Sequence, residues 1–357
     1  MFRLINALDE FEAVSGDWNG LRGVAEDPLL SHDWFCSAAG TLHRDQRLQV
    51  ATIWHDDELL AAAPLVESRH GVVSRLEFIG SSALYEPCDL LYRDPTTRDE
   101  LVRQLVALRR PLVLQRVPIG GGPLAAFHAG WSGKVVPVRS QSCKRVDLLG
   151  SWEQYLTKRS GECRAGFPYK RRKLAACGAV TFEALTPNAA TAAVALNEFV
   201  QVEASSWRQS TGSALVARPR MDAFFRELAR RFAERGQLRV CFLRCGGQAV
   251  AAQLGLRFAD RIWELKVAYD QRWHAASPGR LLLWESLRDA FAQGLKSYEF
   301  LGAGDGQQAW WHTSEKQLQS LVYYPYAIDG VLAVGADLGG AVVRRTRRAL
   351  SCLRRSR

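Results

Sequence analysis

Two segments that lie 190 residues apart share one pattern of apolar residues, and this repeat constrains the fold more than any other feature of the chain. Laid over each other without a gap, residues 48–65 and 238–255 match at four identical positions. An Asp-Asp pair at 56–57 falls on a Gly-Gly pair at 246–247. Alternating apolar residues on both sides of a two-residue turn predict a β-hairpin in each segment. Two interpretations stay open at this point: generic hairpin patterning, or a fold built from two related halves.

The rest of the pattern predicts a mixed α/β protein of 357 residues. Meandering antiparallel strands come first in each half, and one strand–helix–strand crossover follows in the second. We expect an N-terminal half over residues 1–147, a C-terminal half over 148–330 and a basic amphipathic tail over 331–357. A short helix is expected at 124–129, and a basic helical segment at 152–177 that is interrupted at 166–168.

The composition excludes several classes of protein. Hydrophobic residues make up 47% of the chain and charged residues 24%, which are the values of a globular protein. There is no long apolar run and no secretory signal, so we expect a cytoplasmic protein. Neither a GxxxxGK[ST] phosphate loop nor an HExxH motif occurs, and the histidines and cysteines lack ligand spacing. We therefore expect no metal.

The net charge of +10 is concentrated in two segments. Residues 341–357 hold seven arginines and no acid, and residues 158–173 hold seven Lys or Arg against one glutamate. The 158–173 segment is either a solvated helix face or a seat for an acidic ligand. The tail either contacts anionic lipid headgroups, which would place the protein at the inner face of the membrane, or only solubilises the chain. We expect no specific nucleic acid partner.

A strand, a loop and a helix are predicted over residues 269–294. Ser277 is a good N-cap, Pro278 fits the first helical position, and Gly294 supplies the stop. Gly279 leaves the backbone exposed near the helix start. Because the first N–H groups of a helix have no intrahelical partner, this start is either a seat for a phosphate or an ordinary capped end.

The preceding strand, at 262–270, separates into two faces when every second residue is taken. One face is apolar and holds Trp263, Leu265, Val267 and Tyr269. The other face holds the charged residues Glu264, Lys266 and Asp270. This charged row is either a solvated face, with Glu264 and Lys266 paired, or the wall of a wet cleft in which a carboxylate acts as general base.

Three further residues are candidates for substrate contact. Glu203 and Trp207 are four apart and would share a helix face, so Trp207 either packs in the core or grips a substrate. Asp305 stands in a glycine-rich loop after a predicted strand. Such loops often face ligands, although an ordinary turn gives the same pattern.

Several of these motifs, taken in order, resemble one family. Tyr269-Asp270, Ser277-Pro278-Gly279, Leu281-Leu282 and the segment 298–302 resemble the CelD/BcsL-type acyltransferases of the GNAT superfamily. The segment 28–34 is similar to the opening of that family, and the resemblance covers residues 20 to 325. It implies tandem GNAT-like halves with a degenerate N-terminal half, related to the FemABX-type transferases.

The resemblance also implies a co-substrate, acetyl-CoA or another acyl-CoA, bound by the C-terminal half. Its pyrophosphate would lie at the helix that begins at Ser277, where the sequence retains one glycine of the family's glycine loop. The residues implied in cofactor binding are Ala268, Ser277, Gly279, Arg280 and Leu281.

The implied reaction is acyl transfer to an amine or hydroxyl of a small-molecule or glycan acceptor, such as a sugar, a polysaccharide or a cell-envelope precursor. Glu264 or Asp270 would remove the acceptor's proton, and Tyr269 would protonate the leaving thiolate. The residues expected to contact the acceptor are Glu203, Trp207, Lys266 and Asp305. Two alternatives stay open: an aminoacyl-tRNA-dependent transferase of the FemABX type, and a non-catalytic adaptor at the membrane.

Overall fold

The computed structural model describes residues 1–21, 23–71, 73–119, 133–302 and 310–339. In chain order the strands are β1 (Phe2–Ile5), β2 (Val50–His55), β3 (Glu58–Ala63), β4 (Leu65–His70), β5 (Val73–Phe78), β6 (Leu91–Tyr92), β7 (Leu112–Pro118), β8 (Gly133–Arg139), β9 (Cys143–Asp147), β10 (Val180–Leu185), β11 (Leu238–Cys245), β12 (Gln248–Phe258), β13 (Arg261–Tyr269), β14 (Ser297–Phe300), β15 (Ser314–Lys316) and β16 (Leu318–Pro325). The helices are α1 (Leu8–Ala13), α2 (Ser15–Asn19), α3 (His32–Thr41), α4 (Ser81–Leu84), α5 (Pro95–Ala107), α6 (Trp152–Thr157), α7 (Gly161–Ala175), α8 (Ala192–Ala204), α9 (Trp207–Ser210), α10 (Pro219–Glu234) and α11 (Pro278–Ala292), and residues 328–339 are also helical.

The chain divides into two compact units that interleave along the sequence. The first unit holds Met1–Arg22, His43–Ser140 and Leu318–Arg357, and the second holds Gly23–Leu42 and Gln141–Gln317. This division differs from the contiguous halves expected from the sequence. The reason is that α3 packs on α10 of the second unit, whereas β16 pairs with β7 and β8 of the first.

The first unit contains two sheets, with strand orders β1-β2-β3-β6 and β4-β5-β7-β16-β8. The second unit contains one sheet, with the order β10-β11-β12-β13-β14-β9-β15. Among the described strands of each unit, one pair is parallel, β5 with β7 and β13 with β14. A crossover helix, α5 or α11, lies between the two strands of the pair in the chain.

The hairpin repeat seen in the sequence is confirmed by the strand register. The turns at 56–57 and 246–247 both have positive φ at both residues, the conformation that suits a two-residue hairpin. In β2–β3 the register skips Leu60, and in β11–β12 it skips Val250. These two residues also lie 190 positions apart, so both hairpins carry the same bulge. The agreement in register favours a duplicated fold over generic hairpin patterning.

The sheets of the two units also correspond strand by strand beyond the hairpins. The order β5-β7-β16-β8 in the first unit repeats as β13-β14-β9-β15 in the second. The place beside the parallel pair is filled by β16 in the first unit and by β9 in the second. Each of these strands is antiparallel to its neighbours. Both units thus share one strand order, and the expected mixed α/β fold with two related halves is confirmed.

The apolar face of helix α10 positions the helices on one side of the sheet in the second unit. Its large apolar residues recur at helical spacing and are buried, namely Met221, Phe224, Phe225, Leu228 and Phe232. This face packs on α3, where Trp34 and Phe224 make an edge-to-face contact at 5.4 Å, and on α8. The layer holds α8 against β12 and β13, on one face of the sheet.

On the other face, aromatic residues join α6 and α7 to α11. Phe167 stacks on Trp284 with ring centroids 4.5 Å apart, and Trp152 contacts Trp284 edge to face at 5.0 Å. The predicted interruption at 166–168 is wrong, because α7 runs through Pro168 without a break. The helical segment is interrupted earlier, between the end of α6 at Thr157 and the start of α7 at Gly161. The helix expected at 124–129 and the tail at 341–357 lie outside the described residues. Within the described part of the chain, no helix is long and apolar enough to cross a membrane.

Candidate functional site

Strand β13 has an open edge in its second half. It pairs with β14 only from Arg261 to Glu264, and along its remaining residues, up to Tyr269, the described chain pairs with it only through β12. Backbone N–H and C=O groups that lack a strand partner are strong hydrogen-bonding groups. The two parallel strands therefore separate at Glu264, and the open edge of β13 runs from there towards the start of α11.

A bulge lies at the point where the strands separate. Across β12, Leu254 pairs with Lys266 and Gly255 pairs with Glu264, so Leu265 is an extra residue. Glycine is required at 255, since a Cβ there would lie 2.6 Å from the carbonyl oxygen of Trp263. The added residue shifts the alternation of side chains beyond it to the opposite face.

The prediction that Glu264, Lys266 and Asp270 share one face is therefore wrong. Glu264 lies on the α11 side of the sheet, where it contacts Gln253 and Tyr298. Lys266 lies on the α8 side, where it pairs with Glu203. A period of two predicts one face only for a strand without a bulge.

A buried polar network holds the Glu264 carboxylate. Gln253 Nε2 donates to Glu264 Oε2 at 2.6 Å, and the Tyr298 hydroxyl donates to the same oxygen at 2.9 Å. Behind them, Arg239 donates to Gln253 at 3.2 Å and to Ser286 at 2.9 Å. The network thus holds the Glu264 side chain at the point where β13 and β14 part.

Sequence reasoning missed this network. Its members are buried polar residues in otherwise apolar elements: Gln253 in β12, Ser286 in α11 and Tyr298 in β14. Burial raises the pKa of the Tyr298 phenol well above 10.0. Tyr298 therefore remains a hydrogen-bond donor at neutral pH. A single glutamine within the apolar run of β12 was the available signal, because a buried amide needs polar partners.

Glu203 and Lys266 form an ion pair on the α8 side of the sheet. Lys266 Nζ lies 2.9 Å from Glu203 Oε1, and the Glu203 side chain is 1% exposed. The backbone N–H of Leu215 donates to the other carboxylate oxygen at 2.8 Å, and the Lys266 ammonium lies over the ring of Phe225. Burial lowers the pKa of Lys266, and the charge of Glu203 partly opposes this shift. The pair places one buried carboxylate and one buried ammonium just beyond the bulge.

The i, i+4 spacing predicted that Trp207 and Glu203 share a helix face, and this prediction is wrong. Helix α8 ends at Ala204 and Trp207 begins the separate short helix α9. Trp207 is 48% exposed, and the Arg208 guanidinium lies 5.1 Å from its ring centroid. Glu203 is buried whereas Trp207 faces solvent, so the structure does not present the two side chains on one helical face.

Asp270 is held in a structural role at the end of β13. Its carboxylate accepts the backbone N–H of Arg272 at 3.0 Å and pairs with the Arg272 guanidinium at 2.5 Å. These hydrogen bonds from Arg272 lower the pKa of Asp270. A carboxylate with a lowered pKa is a weak proton acceptor, so Asp270 is poorly suited to act as a general base.

The start of α11 differs from the prediction in one respect. Ser277 has a left-handed backbone, with φ 51°, and its side chain makes no capping hydrogen bond. Its carbonyl oxygen accepts the N–H groups of Arg280 and Leu281, at 3.0 and 3.2 Å. The predicted N-cap role of the Ser277 side chain is therefore wrong. The side chain of the N-cap residue, Ser277, therefore bonds none of the N–H groups of the first turn, and Pro278 has no N–H group.

Two contacts shape this helix mouth. A Cβ at Gly279 would lie 3.2 Å from Cδ1 of Tyr269, so the backbone of α11 approaches the last residue of β13 closely. The Arg280 guanidinium lies 4.6 Å from the ring centroid of Trp310. The buried residues Ala268 and Leu281 lie on the two sides of this junction, on β13 and α11. One cation and the N-terminal dipole of α11 thus adjoin the open edge of β13.

The corresponding helix of the first unit has a closed mouth. Asp94 caps α5, its carboxylate accepting the N–H of Thr97 at 2.9 Å, and the Thr97 hydroxyl accepts the N–H of Asp94 in return. This capping box satisfies the N–H groups that a ligand would need, and it places a negative charge at the mouth. An anion is therefore disfavoured at α5 and favoured at α11.

The basic segment at 158–173 is partly used in packing. Arg171 on α7 pairs with the buried Glu285 of α11 at 2.8 Å, and Arg288 pairs with the same carboxylate at 2.6 Å. Arg172 and Lys173 are exposed. Asp305 lies outside the described residues. Within the described ranges, no three His, Cys, Asp or Glu side chains come together in a group that could hold a metal ion.

Comparisons with known proteins agree with the fold that carries this site. The family model of the acetyltransferase (GNAT) domain matches residues 161–310. A comparison with curated protein sequences gives no significant match. Among solved structures, the C-terminal domain of a protein from Agrobacterium fabrum, described as a lysylphosphatidylglycerol synthetase, is 14% identical, with a TM-score of 0.54; the match covers 93% of this chain and 97% of that one.

Two other solved structures have similar folds. FemX is 9% identical, with a TM-score of 0.53 and coverage of 91% of this chain and 97% of its own. The L-PGS of Bacillus licheniformis is 12% identical, with a TM-score of 0.52 and coverage of 94% and 96%. Identities this low show a shared fold only. The chain therefore shares the fold of these structures, and its residues 161–310 are similar to the acetyltransferase (GNAT) domain.

Proposed function

We propose that this protein transfers an acyl group from an acyl-CoA, probed most simply with acetyl-CoA, to an amine or hydroxyl of a small-molecule or glycan acceptor. The open edge of β13 is the observation that carries the proposal. It leads from the uncapped mouth of α11 to the Glu264 carboxylate. The resemblance to CelD/BcsL-type acyltransferases favours a sugar, a polysaccharide or a cell-envelope precursor as acceptor.

The residues of the second unit fit an acyl-CoA. The mouth of α11 offers the backbone N–H of Gly279 and a helix dipole to a pyrophosphate, with Arg280 beside it, because the N–H groups of Arg280 and Leu281 donate to Ser277. The backbone groups of β13 from Ala268 towards Leu265 suit the amides of an extended pantetheine arm, because an open strand edge bonds extended chains. An acyl-CoA supplies the acyl group on a thiol that leaves readily.

Residues near the bulge would act on the acceptor. Glu264, held by Tyr298 and Gln253, would take the proton that the attacking amine or hydroxyl loses, directly or through water. A backbone N–H of the open edge would donate to the oxyanion of the tetrahedral intermediate. The carbon–sulfur bond then breaks, and the leaving thiolate takes a proton from water. The ring of Tyr269 lies beside Gly279, at the pyrophosphate end of this path, so Tyr269 is placed to contact the donor and not to protonate the thiolate.

Calorimetry with acetyl-CoA tests the donor site. We expect micromolar binding by the wild-type chain and at least roughly tenfold weaker binding by Arg280→Ala, since a charge-assisted contact to phosphate is worth about 1.5–3 kcal/mol. Arg288→Ala is the matched control, because Arg288 lies further along the same helix and pairs with Glu285. An absence of binding by wild type, or equal losses in the two variants, would contradict the proposal.

The role of Glu264 is tested by thiol release from acetyl-CoA in the presence of a panel of amines and sugars. Glu264→Gln keeps the shape of the side chain and removes its basicity. We expect loss of turnover with donor binding retained. A normal rate and pH profile in this variant would remove Glu264 from the mechanism.

An aminoacyl-tRNA-dependent transfer is the second candidate. Helix α7 packs beside the turn that leads into α11, and it exposes Arg172 and Lys173. These cations suit the phosphates of a tRNA. This candidate predicts that the logarithm of the binding constant for an aminoacylated tRNA falls linearly with the logarithm of the salt concentration. It also predicts weaker tRNA binding by Arg172→Ala and Lys173→Ala. Acetyl-CoA binding with no such response would favour the first.

A further inference from the structure

The helix at 328–339 exposes its large apolar residues to solvent, whereas a helix that only packs on its own unit buries them. Its buried positions are small or paired: Gly330, Ala333 and the half-buried Asp337. These three recur at helical spacing and define the inner face. The outer face carries Ile328, Val331, Leu332 and Leu338, with exposures of 78%, 72%, 47% and 64%.

The inner face is fixed to the first unit by specific contacts. The Arg75 guanidinium bonds the Asp337 carboxylate at 2.9 Å and the carbonyl oxygen of Ala333 at 3.0 Å. The Tyr324 hydroxyl donates to the same carboxylate at 2.6 Å. A Cβ at Gly330 would lie 1.9 Å from the carbonyl oxygen of Pro325, so only glycine fits that approach. The helix is therefore held with its apolar outer face turned to solvent.

Exposed apolar residues of this size, in one stripe, mark a surface that binds something apolar. The stripe continues onto Tyr326, which is 68% exposed just before the helix. The sequence that follows the helix, residues 341–357, contributes seven arginines and no acid. A helix that lies in a bilayer interface combines an apolar face with neighbouring cations, and a second basic signal strengthens such binding.

We propose that the outer face of helix 328–339, defined by Ile328, Val331, Leu332 and Leu338, docks on an anionic lipid bilayer surface. The arginines of 341–357 supply the charge complementarity that selects anionic lipid. A second copy of this chain is a poorer occupant, because the two arginine-rich segments would carry like charge to the same interface. Docking of this face does not depend on the acyl-transfer reaction.

Vesicle co-sedimentation of the full chain tests the proposal. The probe is a phosphatidylcholine vesicle with and without phosphatidylglycerol. We expect binding only to the anionic vesicles and weaker binding as salt rises. Val331→Asp and Leu338→Asp should each bind at least roughly tenfold more weakly, because each places a charge in the apolar face.

Val194→Asp is the matched control. Val194 is 71% exposed on α8, in the second unit, so this variant adds the same charge at a solvent-facing valine elsewhere. We expect it to bind vesicles as wild type does. Circular dichroism and melting temperature check that all three variants fold. Because the substituted side chains are exposed, we expect no loss of stability.

Three results would overturn the proposal. The first is equal binding to neutral and anionic vesicles, and the second is equal loss in the control and the two test variants. The third is a dimer in sedimentation velocity that Val331→Asp dissociates, with no vesicle binding by wild type, since the occupant would then be a second copy. Because acetyl-CoA binding is measured separately, failure here leaves the donor site untouched.

Discussion

The ion pair between Glu203 and Lys266 allows a quantitative prediction. The pair is 2.9 Å long, and the exposures of its side chains are 1% and 14%. Lys266→Met removes the cation and leaves the Glu203 carboxylate buried with the Leu215 N–H. Removing one partner of a buried pair costs about 3–5 kcal/mol, because the remaining charge has lost its compensation. We therefore expect the free energy of unfolding to fall by this amount.

The double variant separates the pair from its surroundings. Glu203→Gln with Lys266→Met leaves no buried charge, so it should be more stable than Lys266→Met alone. We expect a coupling free energy near 3 kcal/mol, at the upper end of the ~0.5–3 kcal/mol measured for residues in contact. Asp222 and Arg226 give a matched control, since this helix pair at 2.7 Å is 26% and 42% exposed. Its coupling should be about 0.5 kcal/mol.

The assay is urea unfolding followed by circular dichroism and tryptophan fluorescence, applied to the wild type, the single variants and the double variant of each pair. If the two probes report the same unfolding transition, unfolding is two-state and free energies of unfolding can be compared between variants. A coupling for Glu203 and Lys266 no larger than that of the helix pair would refute the reasoning, because it would mean that solvent screens both pairs alike. Acetyl-CoA binding should persist in Lys266→Met, since Lys266 lies on the face away from α11.

The pH dependence of this pair has a definite sign. Burial lowers the pKa of Lys266 below its usual 10.5, so between the two values the unfolded chain binds more protons than the folded protein. Stability therefore rises with pH in that window, and the cost of a buried ammonium is lost as the pH approaches 10.5. Lys266→Met lacks this rise. The stability difference between wild type and variant should grow over the same window, and a constant difference would contradict the assignment.

Three further predictions concern single residues. Tyr298→Phe removes a donor from the Glu264 carboxylate, so the acid limb of the pH–rate profile should move to higher pH, and stability should fall by about 1–3 kcal/mol in urea unfolding; an unmoved acid limb would count against Glu264 as the base. Gly255→Ala places a Cβ 2.6 Å from a backbone oxygen and should lower the melting temperature, whereas Gly16→Ala, which meets nothing within 4 Å, should not; equal melting temperatures would contradict the steric argument. Burial raises the pKa of the Cys241 thiol to about 11, so peptide-resolved alkylation at pH 8 should modify Cys241 only after denaturation, and rapid labelling of the native protein would show that the thiol is accessible.

The sequence predicted those features that depend on local pattern. The hairpin repeat was correct to the residue, because alternation and a two-residue turn determine register together. The helix at Pro278 was correct because proline, glycine and apolar spacing agree there. The parallel crossover followed from the strand–helix–strand order, which nearly always forms one way.

The errors arise where a neighbour decides the local structure. The bulge at Leu265 depends on Gly255 of the adjacent strand, and no period within β13 alone reveals it. Ser277 was predicted to cap α11 from its residue type, but the turn that precedes the helix holds Ser277 in a left-handed conformation. Strand β16 pairs with β7, which lies far away in the sequence, and its residues show no alternation that distinguishes it from a loop.

The two units show why a duplicated fold keeps a candidate donor site in one copy. Each has a parallel pair of strands joined through a crossover helix, so the scaffold for a ligand cleft is present twice. In the first unit the β4–β5 register runs without a skip, and Asp94 closes the mouth of α5. In the second unit the bulge at Leu265 accompanies the separation of the strands, and the mouth of α11 has no acidic cap. Because Asp94 bonds an N–H group at the start of α5 and places a negative charge there, we expect an anion to bind at the start of α11 and not at the start of α5.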